Sequence, residues 1–289
     1  MTKLKGLLLT EGMHGMISQV EGLAKALDLD FIHEKIELNR FWKLFPPKIT
    51  PVQDFVFKNK INSQFDIVIS CGRKSVIPSI YLKKKFKNKI VNIHIQEPKV
   101  SLDNFDFVVV PEHDGLSGKN VIRSKGAIHY ITQNEINESK KYLIDKFQLG
   151  NYFNEDRLVI IILGGPNKYY SFSDLALKQV FDKIKINFIS KGFQLIVIPS
   201  IRTPKRIIKI AQEYFDKKEL VITNVDKQAY MAALAMAKYI VVTCDSTSMI
   251  SEAAITGKPI YVAQMPTIRN NERFKSFFNL FESLNIIKS

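Results

Sequence analysis

Short apolar runs alternate with amphipathic stretches along most of the chain, and this pattern restricts the fold more than any other feature. The runs KGLLLT, FDIVISCG, KIVNIHIQ and FDFVVVP have the length and β-branched content of buried strands. Helical patterns such as SQVEGLAKAL and VIPSIYLKKKF lie between them. Strands that are apolar on both faces and separated by helices form parallel sheets covered on both sides. The chain is therefore predicted to have an α/β fold.

The alternating pattern starts again after a polar stretch near residues 147–156. LVIIILGG, FQLIVIPS, ELVITN and YIVVT then read as strands, again with helices between them. A chain of 289 residues is long enough for two domains. We therefore predict two doubly wound Rossmann-like domains that face a cleft, over residues 1–148 and 149–270. A last helix within residues 271–289 is predicted, and packing back on the first domain is one arrangement open to it.

Composition and charge narrow the classes of partner. The chain has 42 basic and 28 acidic residues, a net charge of +14, which favours nucleotide phosphates or acidic lipid. Nucleic acid is not predicted as a partner, because zinc-finger, RNP and helix-turn-helix signatures are missing.

No apolar run reaches the roughly 18–20 residues that a membrane helix needs. The first residues read as a strand rather than a signal peptide, and the two cysteines form neither a disulfide framework nor a metal motif. We therefore expect a cytoplasmic protein.

The segment VVTCDSTSMISEAAITGKPIYV contains the most informative motif in the second half. A strand ends at Asp245, and Ser246, Thr247 and Ser248 are residues that can cap the start of a helix. The helix carries one carboxylate, Glu252, and ends at GKP before the next strand. A helix start presents backbone N–H groups and the positive end of the helix dipole. The motif therefore predicts an anion site, most often for a phosphate.

Two other strand ends in the second half offer groups that suit a phosphate. ILGGPNK places Gly164 and Gly165 where backbone N–H groups can approach a pyrophosphate. PSIRTP offers Ser200, Arg202 and Thr203, and the arginine is a candidate for phosphate pairing. The alternative role of Ser200 and Thr203 is to cap the following helix.

Loops after strands of the first half carry further candidates. TEGMHGMISQ places His14 between Gly12 and Gly15, although the spacing is not the G-x-G-x-x-G of a dinucleotide site. A tight strand-to-helix turn would explain the same glycines. In CGRKS, Arg73 or Lys74 could meet a phosphate or carboxylate, or could simply lie in a solvated basic turn.

The segment PEHDG sets three titratable residues side by side after an apolar strand. Glu112, His113 or Asp114 could serve as a general base, since burial and neighbouring charges shift pKa values. Consecutive side chains diverge, so one or two of them at most can face a single site. A structural role for His113 is the alternative.

The segment FWKLFPPK joins aromatic and basic residues and holds the only tryptophan, Trp42. Aromatic side chains and lysines both suit the headgroup region of a bilayer, so a membrane-docking loop is one interpretation. A loop packed on its own domain is the other.

Seven segments, in the same order along nearly the whole chain, carry a resemblance to a known family. They are EGMHGMISQVEGLAKAL, FDIVISCGRKS, FDFVVVPEHDGLSGKNV, GAIHYIT, LGGPNKYY, SIRTP and MAALAMAKYIVVTCDSTSMISEAAITGKPIYV. On these segments the chain resembles the mitochondrial-fission (elongated-mitochondria) family of plants and bacteria. Its bacterial members are often labelled nucleoside-diphosphate-sugar epimerases, and the family in turn resembles the GT-B glycosyltransferases, which have two Rossmann domains.

The resemblance implies an acceptor-side N-terminal domain and a nucleotide-binding C-terminal domain. The residues implied to hold a nucleotide-sugar are Gly164, Gly165, Ser200, Arg202, Thr203, Asp245, Ser246, Thr247, Ser248 and Glu252. The residues implied on the acceptor side are Gly12, His14, Gly15, Gln19, Gly72 and Arg73. Among the first set, Glu252 would hold the ribose. The sequence departs from the family at Ile201, where a first arginine is usual, so Arg202 would act alone.

The first functional hypothesis is a GT-B-like glycosyltransferase that moves a sugar from a nucleoside-diphosphate-sugar to a cell-envelope acceptor. It would need no bound cofactor or metal, because helix N-termini would stabilise the leaving diphosphate. His14, or one residue of the PEHDG cluster, would deprotonate the acceptor hydroxyl. The alternatives are a nucleotide-sugar epimerase, and a non-enzymatic scaffold or recruitment protein as the plant relatives' role in organelle division suggests. Peripheral association with the inner face of a membrane is an additional expectation.

Overall fold

Two compact units, each built on one parallel sheet, make up the chain. The computed structural model describes residues 3–59, 61, 64–87, 89–149 and 154–288. The units are Met1–Ile131 and Thr132–Ser289, and each has a six-stranded sheet. The predicted fold class, α/β with two doubly wound Rossmann-like sheets, is confirmed.

In the first unit, six parallel strands lie in the order β2-β1-β3-β4-β5-β6. Its elements are β1 (Lys5–Thr10), α1 (His14–Ala26), β2 (Asp30–Lys35), β3 (Ile67–Cys71), α2 (Val76–Lys85), β4 (Val91–Ile95), β5 (Phe107–Pro111) and β6 (Val121–Ser124). After β1 the chain adds β2 on one side and β3 on the other. The strand order thus reverses beside β1, and ligands of doubly wound sheets bind at such a switch point.

The second unit repeats this design with the strand order β12-β11-β10-β7-β8-β9. Its elements are α3 (Gln133–Glu138), α4 (Lys140–Lys146), β7 (Leu158–Leu163), α5 (Asp174–Asn187), β8 (Gln194–Pro199), α6 (Lys205–Tyr214), β9 (Leu220–Val221), α7 (Lys227–Met236), β10 (Tyr239–Thr243), α8 (Thr247–Ala254), β11 (Ile260–Ala263), α9 (Glu272–Ser283) and β12 (Ile287–Lys288). Here β7 pairs with β8 on one side and with β10 on the other. The switch point therefore lies between the ends of β7 and β10.

The central strands are buried along their whole length. All five residues of β3 and all six of β7 are buried. Helices cover both faces of each sheet, so consecutive residues of a central strand must both be apolar. At roughly 25 cal/mol per Å² of apolar surface removed from water, these strands supply the main stabilisation of each unit.

The division between the units comes earlier than the predicted boundary near residues 147–156, of which 150–153 lie outside the described residues. Helices α3 and α4 contact α7, so they belong to the second unit. The Tyr142 hydroxyl of α4 donates to Asp226 Oδ2 over 2.9 Å, and Lys146 pairs with the same carboxylate. Asp226 also caps α7 by accepting from the Gln228 and Ala229 amides. These contacts join residues far apart in the sequence, which a composition shift cannot reveal.

The structure divides one amphipathic segment into two helices and adds two strands to those predicted. The segment NEINESKKYLIDKF forms α3 and α4 on either side of Ser139. Strands β6 and β12 were not predicted, and β12 extends the second sheet by pairing with β11. The predicted last helix is α9, which lies in the second unit with β12. Over the described ranges, no helix is both long and apolar enough to cross a membrane.

Candidate functional site

The switch point of the second sheet brings two of the predicted loops together. Strands β7 and β10 pair side by side in parallel register, so the residues that follow them meet at the same edge of the sheet. Gly164 and Gly165 follow β7, and Asp245 follows β10 after Cys244. The loop after β8, which carries Arg202, reaches the same place.

Asp245 is the centre of the hydrogen-bond network at this edge. Its carboxylate accepts from the Thr243 hydroxyl over 2.7 Å, from the Gly165 amide over 3.2 Å and from Arg202 Nη2 over 2.7 Å. Its backbone carbonyl accepts from Asn167 Nδ2 over 3.1 Å. Burial raises the pKa of Asp245, while the Thr243 hydrogen bond and the Arg202 charge act in the opposite direction. Asp245 is 1% exposed, so it joins the ends of β7, β8 and β10 inside the protein, and its predicted contact with a nucleotide stays a prediction.

The two glycines approach protein groups closely. A Cβ atom on Gly164 would lie 2.0 Å from Asp245 Oδ1, and one on Gly165 would lie 2.1 Å from the Arg202 carbonyl oxygen. The Gly164 amide donates to Thr243 Oγ1 over 2.8 Å, and the Gly165 amide donates to Asp245. Both amides are therefore used inside the protein. That these glycines approach a pyrophosphate stays a prediction, which their occupied amides do not support, so neighbouring groups are the better phosphate donors.

The loop after β8 is held by its own hydroxyl groups. Thr203 Oγ1 donates to the Leu163 carbonyl oxygen over 2.6 Å and accepts from the Ser200 amide over 2.8 Å. Ser200 Oγ accepts from the Arg202 amide over 3.3 Å. Pro204 precedes α6 without a side-chain cap. Ser200 and Thr203 therefore shape the turn that carries Arg202, which is different from the helix-capping alternative.

The start of α8 has the predicted geometry of a capped helix. Ser246 is the N-cap residue, and its side chain accepts from the Met249 amide over 3.4 Å. Thr247 and Ser248 occupy the first two helical positions and are partly exposed. Amides at these positions have no acceptor within their own helix, and the helix dipole adds positive potential there. This turn can supply the phosphate donors that the two glycines do not.

Glu252 lies one turn beyond Ser248 on the same face of α8, since residues four apart are neighbours on a helix. Its Oε2 accepts from the Tyr230 hydroxyl over 3.0 Å. Burial raises the pKa of Glu252 to about 7, and the Tyr230 hydrogen bond lowers it by a smaller amount. A carboxyl group that titrates near neutral pH can accept or donate hydrogen bonds, which suits a sugar hydroxyl.

We expect the stability of the second unit to fall as the pH rises from about 5 to about 8. The folded-state pKa of Glu252, about 7, lies above the ordinary value of 4.5. The stabilisation is therefore complete below the unfolded pKa and is lost as the pH rises through the folded pKa. Allowing for partial exposure, the loss is on the order of 2 kcal/mol. Urea unfolding at several pH values should show this slope, and Glu252→Gln should flatten it. If the pH dependence of stability were unchanged in that variant, a group other than Glu252 would cause it. Glu213→Gln, at an exposed position of α6, is the control and should keep the slope.

At the switch point of the first sheet, a carboxylate and an ammonium group face each other. Glu11 follows β1, and its side chain pairs with Lys74 Nζ over 2.6 Å and accepts from the Lys74 amide over 3.1 Å. Gly72 has a φ of +92°, and a Cβ atom there would lie 2.6 Å from Met16 Sδ. The Gly12 amide donates to Thr10 Oγ1 over 3.1 Å. The loops after β1 and β3 are thus fitted to each other.

The other predicted residues of the first unit take separate positions. Gln19 Oε1 accepts from Gln96 Nε2 over 3.5 Å. His14 is exposed, with Nε2 3.4 Å from the Tyr130 hydroxyl. Gly15 is exposed on the first turn of α1. Arg73 Nη2 donates to the Lys43 carbonyl oxygen over 3.0 Å, so Lys74, not Arg73, pairs with Glu11 at the strand ends.

The three consecutive residues after β5 diverge, as expected. Glu112 pairs with Lys125 over 2.8 Å, and this contact lowers the pKa of Glu112. The His113 side chain is buried, with Nε2 3.6 Å from Asp114 Oδ1. A catalytic role for any of the three stays a prediction.

Four residues of these two sites were not predicted from the sequence. They are Glu11, Gln96, Asn167 and Tyr230. Glu11, Gln96 and Asn167 lie in the loops after β1, β4 and β7. Their position directly after a strand was the one feature of the sequence that could have identified them as site residues. Tyr230 lies inside α7, where nothing in the local pattern distinguishes it. Among the described residues, no group of three or more His, Cys, Asp or Glu side chains could hold a metal ion.

The chain belongs to the mitochondrial fission ELM1 family, whose family model matches residues 14–289. An uncharacterized protein, RP120 of Rickettsia prowazekii (strain Madrid E), is 29% identical in an alignment of 249 positions that covers 73% of this chain and 68% of that protein. The mitochondrial fission protein ELM1 of Arabidopsis thaliana is 27% identical in an alignment of 221 positions that covers 68% of this chain. The match spans only about half of the Arabidopsis protein, 51%.

Solved structures with the same fold include epimerases and glycosyltransferases. The UDP-GlcNAc 2-epimerase of Methanocaldococcus jannaschii matches with a TM-score of 0.52 and 15% identity, over 97% of this chain and 92% of that one. A glycosyltransferase of Rickettsia africae ESF-5 matches with a TM-score of 0.52 and 11% identity, over 98% and 89%. At these identities the likeness shows the GT-B-like fold alone.

Proposed function

We propose that this member of the mitochondrial fission ELM1 family is a GT-B-like glycosyltransferase that moves a sugar from a nucleoside-diphosphate-sugar to an acceptor of the cell envelope. The observation that carries the proposal is the edge of the second sheet. There Arg202 contacts Asp245, which directly precedes the N-cap of α8, and Glu252 lies one turn beyond the start of that helix. Names of solved structures with the same fold, UDP-GlcNAc 2-epimerase and glycosyltransferase, agree with a nucleotide-sugar as the ligand.

The donor diphosphate would bind at the first turn of α8. The amides of Thr247 and Ser248 would donate to it, and the helix dipole would stabilise its charge as the sugar leaves. The contacts of Arg202 with Asp245 use Nη2. Its side chain is 44% exposed, so the remaining N–H groups can pair with a phosphate oxygen. Glu252 would hold the ribose hydroxyls.

The first unit would supply the acceptor side. Its switch point offers Glu11, Lys74 and Gln19, and exposed His14 stands at the start of α1. A base that accepts the acceptor proton must reach that hydroxyl directly or through one water. His14 is the candidate we favour, because the Glu11 carboxylate is already paired with Lys74.

The proposal predicts that one nucleoside diphosphate among UDP, GDP, CDP, ADP and dTDP stabilises the protein. At about 100 times its Kd the ligand should add roughly 2.7 kcal/mol and raise the melting temperature visibly. Glu252→Gln keeps the side-chain volume and an acceptor for Tyr230, so it should weaken the response without unfolding the protein. The measurement is the ligand-induced shift of each variant against its own unliganded melting temperature.

The matched control is Glu213→Gln, at an exposed position on α6, which should respond like the unaltered protein. If no nucleotide shifts the melting temperature, or if Glu252→Gln responds fully, the proposed donor site is wrong. Where a nucleotide binds, incubation with the matching nucleotide-sugar separates two chemistries. Release of the diphosphate on adding an envelope extract indicates transfer, whereas a changed sugar stereocentre without acceptor indicates epimerisation.

A specific observation favours one second candidate, a non-enzymatic recruitment protein. The Gly164 and Gly165 amides and part of Arg202 are occupied by protein groups, so the loops of the second unit are stable without a ligand. A recruitment protein would keep such loops as structure only. It predicts no response to any of the five nucleotides.

A further inference from the structure

A surface of the first unit between β2 and β3 exposes large apolar side chains close together in the sequence. We call residues 40–55 the aromatic platform. Phe41, Leu44, Ile49 and Phe55 of this platform are exposed, and Leu44 is 79% exposed. Single exposed apolar residues are common on proteins, but several within one short segment mark an interaction site more often than chance exposure does.

The exposed rings stand on an ordered base. The Trp42 ring lies 4.9 Å from that of Phe41, 5.8 Å from that of Phe45 and 6.0 Å from that of Phe55, between centroids. Trp42 itself packs against the core of the first unit. Aromatic contacts of this kind stabilise a segment beyond the effect of their buried area. The rings of Phe41, Phe45 and Phe55 are thus held around Trp42.

Hydrogen bonds fix the same segment to the rest of the unit. Arg73, after β3, donates to the Lys43 carbonyl oxygen over 3.0 Å. The Asn39 amide donates to the Val56 carbonyl oxygen over 2.9 Å at the base of the segment. Presenting a preordered surface lowers the entropy lost on binding.

The charged side chains of the platform are basic over most of its length. Arg40, Lys43 and Lys48 are exposed. The sequence holds no acidic residue between Glu37 and Asp54. Each basic side chain close to an anionic membrane adds to the attraction between protein and bilayer. The whole chain, at +14, adds a field of the same sign.

A cavity of about 620 Å³ opens beside the platform and shares Lys48 with it. Lys99, Ser101 and Asn104 also line it, over apolar side chains that include Ile77. Glu97 lies there too and pairs with Lys99. This combination of cationic, hydroxyl and apolar lining groups suits a phosphate headgroup attached to an acyl chain.

We propose that the aromatic platform docks on the surface of an anionic phospholipid bilayer. Phe41, Leu44, Ile49 and Phe55 would enter the headgroup region, while the three cations would pair with lipid phosphates. A protein partner would need one surface patch that is both acidic and apolar. An anionic bilayer has negative headgroups above an apolar interior over its whole surface. The platform lies in the first unit and the proposed nucleotide site in the second. Membrane binding and nucleotide binding can therefore be tested independently.

The test is co-sedimentation of the full chain with vesicles of phosphatidylcholine containing about a third phosphatidylglycerol, compared with pure phosphatidylcholine. We expect the protein to pellet with the anionic vesicles only, and to be released when salt rises from about 0.1 M to about 1 M. Phe41→Ser/Leu44→Ser should bind about tenfold or more weakly, because two large apolar side chains no longer insert. Lys43→Glu/Lys48→Glu should also lose binding, which provides a second route if the serine variant is unstable.

The matched control is Leu175→Ser/Ile186→Ser, two exposed apolar residues of α5 in the second unit, which should bind like the unaltered chain. Failure to pellet with anionic vesicles would overturn the proposal. So would equal binding by the serine and control variants. If size-exclusion chromatography showed a dimer that the serine variant converts to a monomer, the platform would cover a second copy of the chain, and the proposal would again fail.

Discussion

Gly164→Ala is expected to destabilise the second unit by about 3 kcal/mol or more. The added Cβ atom would lie 2.0 Å from Asp245 Oδ1 and 2.4 Å from Asp245 Cγ. The Asp245 side chain cannot move away easily, because it is buried and accepts hydrogen bonds from the end of β10 and from the loops after β7 and β8. The melting temperature should fall by roughly 6–12 °C, and urea unfolding followed by circular dichroism measures the loss.

The control for this substitution is Gly15→Ala. Gly15 lies on α1 with open space around the position of a Cβ atom. Alanine there should be neutral or stabilise by up to about 1 kcal/mol, since alanine favours helices over glycine. Equal effects of the two substitutions would contradict the close packing between Gly164 and Asp245.

Asp245→Ala is expected to cost roughly 3–5 kcal/mol. It removes the acceptor of the Thr243 hydroxyl and of the Gly165 amide, both buried. It also removes the partner that holds Arg202, although the partly exposed guanidinium can regain water. Asp245→Asn should cost less, because the amide keeps the volume and one oxygen acceptor. If alanine at this position were as stable as aspartate, the network would not hold the loops.

Combining Gly164→Ala with Asp245→Ala tests the proposed clash more directly than either substitution alone. Truncating Asp245 removes the atoms that a Cβ on Gly164 would strike. The double variant Gly164→Ala/Asp245→Ala should therefore lose at least about 1 kcal/mol less than the sum of the single losses. Simple additivity would show that the clash is not the cause of the glycine effect.

The nucleotide proposal connects these substitutions to function. Asp245→Ala frees the Arg202 guanidinium from its position and loosens the loop after β7, so the nucleoside-diphosphate response should fall along with stability. Glu252→Gln should reduce that response with little loss of stability at neutral pH, because the glutamine side chain is uncharged, as the protonated glutamate is. The two variants thus distinguish a residue that positions the loops from one proposed to meet the ligand.

Several features of the site could be predicted from local sequence. The cap at Ser246 and the helix after it follow from hydroxyl residues placed between an apolar run and a helical pattern. The fully apolar run LVIIIL predicts a strand covered on both faces, and β7 is such a strand. The cap and the apolar run are patterns within a few residues, so local sequence is enough to predict them.

Local sequence patterns are enough to predict the α/β class, most helices and strands, and the loops that follow the strands. The burial of Asp245, the protein acceptors of the Gly164 and Gly165 amides, and the pairing of Lys74 with Glu11 follow from the folded structure instead. It also placed α3 and α4 with the second unit. The physical reason is that periodicity and capping act over a few residues, whereas these partners lie 63 to 80 or more positions apart. They meet only once the strands have paired.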